Sequence, residues 1–237
     1  VAPARGADGQ ELVLKVVWRH PEAEHEGAGL TAWAGRGTIW LQDSCEFDDA
    51  IALLLERCVP GTPLRRLPEA EQDTVISGLL RQLWIEPAID HGFVPLALMC
   101  EQWADRFEND VDVANLAIDP GLVREAVVLF RELPRSAERR VLLCTDLHAG
   151  NVLAAERMAW LAIDPKPYVG DPTYDVLQHM LNSEQRLRSD PRGLAARMAT
   201  LTNLDLDRLL LWLFARSVQF APSWPFLSDV ARELAPR

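Results

Sequence analysis

A chain of 237 residues with 49% hydrophobic and 25% charged residues has the composition of a soluble globular protein, long enough for one large domain or two lobes. No apolar run approaches the ~20 residues that a bilayer-crossing helix requires, and nothing at the N-terminus reads as a signal peptide, so no membrane partner is expected. A net charge of −11 without a basic stripe argues against nucleic acid as a partner, while an acidic surface attracts cationic ones.

Val1 to Trp18 reads as a hairpin, with a turn at Ala7-Asp8-Gly9 and a second strand, Leu12 to Val17, that carries Lys15. Pro21 to Trp33 is predicted helical from a proline start, with Glu22, Glu24 and Glu26 along it. Any one of the three glutamates could pair with Lys15. Residues 37–42 and 50–59 read as strands. Pro60-Gly61-Thr62-Pro63 is a breaker-rich link, after which helices are predicted near 68–86, 95–110 and 119–133, the last with Asp119 as N-cap and Pro120 in its first turn. Val141 to Cys144 is a buried-strand run. Val152-Leu153-Ala154 and Trp160 to Ile163 form two strands across a turn, and helical patterns return near 173–182, 190–201, 205–220 and 225–235. The organisation is α+β: a small β-rich lobe over 1–57, a hinge near 56–62, and a larger, mainly helical lobe over 58–237.

Cys45, Cys58, Cys100 and Cys144 are scattered without a CxxC pair. Neither a disulfide framework nor a zinc site is expected, and a reducing cytoplasm is the default location. Of the 24 lysines and arginines only two are lysine, Lys15 and Lys166. Under such a bias a retained lysine marks a place where a compact ammonium serves and a wide guanidinium does not.

The chemistry is concentrated between Asp146 and Asp164. Asp146 is followed five residues later by Asn151, and Asp164 lies thirteen residues beyond that, past the strand pair. One carboxylate, one amide and a second carboxylate in this order suit phosphoryl transfer: the first accepts the proton of an attacking hydroxyl, and the other two hold Mg²⁺ against the phosphates of ATP. Asp110 and Asn115 repeat the first spacing, but thirteen residues on stands Val128, inside an apolar helical run. That copy lacks a metal-binding carboxylate. His148 points from the loop and is read as bonding to backbone, with contact to substrate as the alternative.

With these residues in place the chain resembles the aminoglycoside phosphotransferase family of the kinase-like fold, in particular its branch of streptomycin 6-kinases and hydroxyurea-resistance kinases. The matching segments are Leu14-Lys15-Val16, the stretch from His20 to Glu26, Leu53 to Arg57 with Pro60 to Leu64, Asp146 to Leu153, Ala162 to Pro167, and Gly170 to Asp175. The resemblance implies a two-lobed protein-kinase-like fold and ATP-dependent transfer to a hydroxyl of a cationic aminocyclitol such as streptomycin, with hydroxyurea as another substrate. It also implies roles. Lys15 meets the nucleotide phosphates and Glu26 holds it by an ion pair, the backbone from Glu56 to Cys58 meets adenine, Asp146 is the base, and Asn151 and Asp164 bind magnesium. Asp171 and Asp175 are expected to cap and anchor the following helix. Asp105, Glu108, Asp110 and Glu184 are acidic candidates for the substrate pocket.

Two departures stand out. The family pattern places His-Gly before the catalytic aspartate, whereas Cys144-Thr145 stands here. The small β lobe also lacks its first strand and a Gly-rich loop, which is expected if the chain is a piece of a longer protein or a truncation. A non-catalytic relative would fit these two departures, but retention of Lys15, Asp146, Asn151 and Asp164 together argues against it. Asp146-Leu147-His148 also resembles the first ligand pair of a metallophosphoesterase. Only His20, His25, His91, His148 and His179 exist, however, and no Gly-Asn-His follows.

Overall fold

The computed structural model describes residues 1–20, 23–109 and 118–236. Pro21, Glu22, Asp110 and Asn115 therefore lie outside the described residues. The chain forms two compact units, Val1–Phe93 with Leu142–Tyr168, and Val94–Val141 with Val169–Arg237.

The first unit is organised by a four-stranded antiparallel sheet in the order β1-β2-β4-β3, from β1 (Ala2–Arg5), β2 (Glu11–Trp18), β3 (Leu41–Glu46) and β4 (Ala50–Glu56). The β1–β2 turn closes through Gly9, at φ 87, as its Asp-Gly signal requires. In β4 every second residue is buried, and Ile51, Leu53 and Leu55 point into a cluster with Leu30, Ile39 and Leu161. Each such side chain contributes about 1.5–3 kcal/mol of burial. Directly opposed residues share a face, and the register sets Val13 against Leu55, Lys15 against Leu53 and Val17 against Ile51. Lys15 thus carries its charge on the apolar face, which is why it needs partners.

The predicted strand at 37–42 is corrected. β3 begins at Leu41 and runs through Glu46, while Thr38 makes only an isolated bridge to Ala162. As an edge strand, β3 leaves nearly all its side chains exposed, so Asp43 and Ser44 carry no alternation to read. The predicted helix from Pro21 is also shifted: α1 is Glu26–Trp33, preceded by a turn in which Ala23 N and Glu24 N donate to His20 O. Gly29 lets α1 lie directly against Pro167, where a Cβ would collide.

The breaker-rich link is itself a short strand, β5 (Pro60–Pro63). It heads a three-stranded sheet with β7 (Val152–Ala155) and β8 (Trp160–Ala162), in the order β5-β7-β8. Because β7 and β8 pair with β5, and β8 is tied to Gly37 and Ile39 through Ala162, residues 142–168 pack with the first unit. The helix predicted near 68–86 is α2 (Glu69–Leu83), whose Leu83 carbonyl accepts the Trp33 indole N–H at 2.8 Å. The two short strands β6 (Val141–Leu143) and β9 (Tyr168–Gly170) lie where the chain passes between units.

The second unit is helical: α3 (Leu96–Asn109), α4 (Pro120–Glu132), α5 (Pro172–Asp175), α6 (Leu177–Leu181), α7 (Glu184–Ser189), α8 (Pro191–Thr202), α9 (Leu206–Phe220) and α10 (Leu227–Leu234). Several of its helices start at a side-chain cap. Asp119 accepts from Gly121 N, Asp190 from Gly193 N and Asp205 from Arg208 N. In α4, Val123, Ala126, Val127 and Phe130 are buried at the spacing of one helical face. Arg216 on α9 is buried against Trp103, Tyr174 and Phe220, and burial pushes its guanidinium below the usual arginine value. Among the described residues no helix is long and apolar enough to cross a membrane.

Candidate active site

All seven residues expected at the site, Lys15, Glu26, Glu56, Cys58, Asp146, Asn151 and Asp164, belong to the first unit. β2 presents Lys15, whose Nζ lies 2.6 Å from Glu26 Oε2 and 2.6 Å from Asp164 Oδ1. Of the glutamates that sequence alone left open, Glu26 is the partner, and Glu24 lies 3.7 Å from Arg19 instead. The side chain of Glu26 is 3% exposed, that of Lys15 15% and that of Asp164 47%. Burial alone would push the Lys15 ammonium down. Glu26 and Asp164 more than offset it, so the group titrates above the usual lysine range. Its contribution to stability is therefore in place at neutral pH and lost only as pH climbs through that raised value. Burial pushes the Glu26 carboxyl up, and Lys15 reverses this only in part.

Between β6 and β7 the loop from Cys144 to Asn151 is built on its own hydrogen bonds. Asp146 N donates to Cys144 O at 2.7 Å, Asn151 N to His148 O at 2.9 Å, and Gly150 N to His148 Nδ1 at 3.1 Å. His148 thus serves the loop backbone. Asn151 Nδ2 donates to Asp146 O and Oδ2 at 3.1 and 3.3 Å. Across the strand pair, Ile163 N donates to Asn151 O at 2.9 Å, bringing Asp164 alongside Asn151. Thr145 stands at φ 47 and Asp164 at φ 53. Asp tolerates the left-handed region, whereas a β-branched residue there is strained. The Thr145 hydroxyl donates to Lys166 O at 2.6 Å, which helps to hold it.

A cavity of about 240 Å³ adjoins the Lys15 cluster. Val13, Ile39, Leu55, Leu153 and Ile163 form apolar walls, Lys15, Glu26 and Asp164 supply charge, and Glu56 and Cys58 line the hinge. The Glu56 carboxylate is fully engaged. Arg157 Nε and Nη2 grip it at 3.0 and 2.8 Å, and Trp40 N donates to it at 2.9 Å. Arg157 also donates to Gly35 O and Thr38 O and lies over the Trp40 ring. Sequence reasoning missed Arg157, since an arginine in a hairpin turn reads as a solvated charge and its partner is 101 residues away.

Burial, with Glu56 adding to it, pushes the Cys58 thiol up to about 11. Only the thiolate reacts, so at pH 8 iodoacetamide is expected to label exposed Cys45 first and Cys58 at least about tenfold more slowly. The Cys58 rate should climb as pH approaches 11, which peptide mapping by mass spectrometry checks. Equal rates at pH 8 would contradict the buried setting.

The donor set fits a hard divalent cation. Asn151 Nδ2 is engaged by Asp146, which leaves its amide oxygen as the atom able to meet a metal, and Asp164 supplies a carboxylate. Magnesium is typically bound by one or two carboxylates with phosphate oxygens and water supplying the rest. Asp105, Glu108 and Glu184, the described acidic candidates for a substrate pocket, sit in the second unit in ion pairs. Asp105 and Glu108 meet Arg131, and Glu184 meets Arg188 one helical turn away.

A β sheet whose lysine is held by a helix glutamate, together with an Asp, Asn and Asp set around a short strand pair, defines a two-lobed kinase-like phosphotransferase fold. The chain covers 99% of itself and 82% of a choline kinase from Streptococcus pneumoniae with a TM-score of 0.62 at 13% identity. The sequence pattern of the aminoglycoside/hydroxyurea antibiotic resistance kinases matches residues 1–225, and the chain belongs to that family. It is 35% identical over 227 residues to a hydroxyurea phosphotransferase of Kitasatospora aureofaciens, covering 92% of this chain and 64% of that protein. It is 34% identical over 229 residues to a streptomycin 6-kinase of Streptomyces griseus, covering 92% of this chain and 72% of that protein.

Proposed function

We propose that the protein transfers the γ-phosphoryl group of ATP to a hydroxyl of an aminoglycoside or aminocyclitol antibiotic such as streptomycin. The observation that carries this reading is the Lys15, Glu26 and Asp164 cluster at a cavity whose other walls, apart from Glu56 and Cys58, are apolar. Such a slot suits a flat heteroaromatic ring with an anionic tail. Lys15 meets the phosphates, Glu26 keeps it in place, and the backbone from Glu56 to Cys58 meets the base. Residues 1–57 are assigned mainly to the nucleotide, and 58–237 to the catalytic loop and substrate, with Cys58, Leu153, Ile163 and Asp164 of the latter completing the nucleotide cavity.

Asp146 accepts the proton of the substrate hydroxyl. The hydroxyl oxygen forms a bond to the γ-phosphorus, the bond from that phosphorus to the bridging oxygen breaks, and its electron pair leaves with ADP. Asn151 and Asp164 would hold Mg²⁺, which when bound neutralises charge on the phosphates. The acidic surface draws in a cationic acceptor. The similarity to a hydroxyurea phosphotransferase favours hydroxyurea as a second acceptor to test.

The test is ADP release from Mg-ATP by the full chain against streptomycin, other aminoglycosides and hydroxyurea, with Asp146→Asn as the blank. Release that requires streptomycin supports the first reading, and release with hydroxyurea alone moves the substrate. Silence throughout with no nucleotide binding would sink both. Asp164→Ala is expected to lose the metal-dependent part of nucleotide affinity, weakening Mg-ATP binding by about tenfold or more while leaving binding in EDTA little changed. Titration calorimetry with and without magnesium reads this directly.

A further inference from the structure

Lys166 is not among the residues that line the cavity at Lys15. It is one of two lysines in a chain that otherwise uses arginine, and Pro165 and Pro167 flank it, restricting the backbone on both sides. The catalytic loop clamps its main chain at both ends: Lys166 N donates to Cys144 O at 2.9 Å, and Thr145 Oγ1 donates to Lys166 O at 2.6 Å. So fixed, Lys166 Nζ lies 2.8 Å from Asp146 Oδ2, the oxygen that Asn151 Nδ2 also approaches at 3.3 Å. The Lys166 side chain is 30% exposed and that of Asp146 15%.

We infer that Lys166, held by Thr145, is the positioning residue for Asp146, fixing the carboxylate in the orientation that receives the substrate proton. This rests on the assignment of Asp146 under the proposed function. The choice of lysine follows from geometry. A guanidinium tends to grip both oxygens of a carboxylate, whereas an ammonium engages one and does not compete for the second. The departure from His-Gly to Cys144-Thr145 belongs to the same device. The Thr145 hydroxyl is the side-chain link between the loop and Lys166, and a glycine there would leave the main-chain bond from Lys166 N to Cys144 O to hold it.

In the step itself the acceptor oxygen bonds to the γ-phosphorus, the bridging bond breaks with its electrons leaving on ADP, and the proton passes to Asp146. Lys166 neither gains nor loses a proton. Displacing a catalytic group by about 1 Å can cost about 100-fold, and that is the size of effect expected.

The experiment compares Lys166→Met, Lys166→Arg and the Lys166→Met/Asp146→Asn pair in the full chain, reading kcat, KM for Mg-ATP and crystal structures. Lys166→Met should lower kcat about 100-fold with KM for Mg-ATP within about threefold. Lys166→Arg should recover less than about a tenth of the parent rate. Added to Asp146→Asn, Lys166→Met should cost almost nothing further, because it acts through the group already removed. In crystals of Lys166→Met, Asp146 should leave its parent orientation. A kcat within about threefold of the parent, an additive double variant, or an unmoved Asp146 each overturns the inference. If the parent phosphorylates nothing in the substrate panel, the activity reading fails, and the Asp146 orientation in parent and Lys166→Met crystals still decides the positioning role.

Discussion

Asp146→Asn is expected to lower turnover by about 10³-fold or more while the Kd for Mg-ATP stays within about threefold. The substitution is nearly isosteric, so the loop hydrogen bonds from Asp146 N to Cys144 O and from Asn151 Nδ2 to the Asp146 carbonyl persist. What disappears is the negative charge and with it the proton acceptor. The Lys166 ammonium also loses the carboxylate it meets at 2.8 Å. Nucleotide affinity is spared because the cavity is lined from Lys15, Glu26, Asp164 and the hinge, with Asp146 outside it. Steady-state ADP release and a Mg-ATP titration on the same preparation separate the two effects. A rate within about tenfold of the parent would remove Asp146 from the role of proton acceptor.

How much of this was legible in the chain depended on whether the physics was local. The apolar run of β4, the Asp-Gly turn before β2 and the Asp119-Pro120 start of α4 are local patterns, and each element formed at its pattern, though β4 ends at Glu56 rather than at Val59. β3 was misplaced because an edge strand with exposed side chains has no buried face to mark it. β9 and α7, at 3 and 6 residues, are too short for either period to register. At the site, spacing brought out Asp146, Asn151 and Asp164, since a short strand pair fixes their relation. It could not choose Glu26 over Glu24, because that depends on where α1 begins, and no side-chain cap marks its start. The grip of Arg157 on Glu56 and the reach of Lys166 to Asp146 are tertiary. The rarity of lysine signalled that Lys166 mattered, but its partner became visible only when the loop closed on it.

The largest expected effect on stability lies at Asp171, in the second unit. Its carboxylate is 3% exposed, caps α5 by accepting from Thr173 N at 2.9 Å, and accepts from Arg208 Nε and Trp212 Nε1, both at 2.7 Å. Asp171→Ala strands two donors at once. Among the described residues the fully buried Trp212 indole keeps no other acceptor, and Arg208 retains the Leu133 carbonyl and the Ser136 hydroxyl. Breaking such a buried pair costs about 3–5 kcal/mol, of which the lost cap accounts for about 1. For a protein of this size each kcal/mol lowers Tm by about 2–4 °C, so a fall of about 6–20 °C is expected. Asp171→Asn keeps either the cap acceptor for Thr173 N or the acceptor shared by Arg208 and Trp212, because its amide nitrogen can only donate, and should fall between Asp171→Ala and the parent. Thermal and urea denaturation followed by tryptophan fluorescence read the ordering, since Trp212 reports on the broken contact itself. Should Asp171→Ala melt within about 2 °C of the parent, Arg208 and Trp212 have found other partners and Asp171 does not anchor this unit.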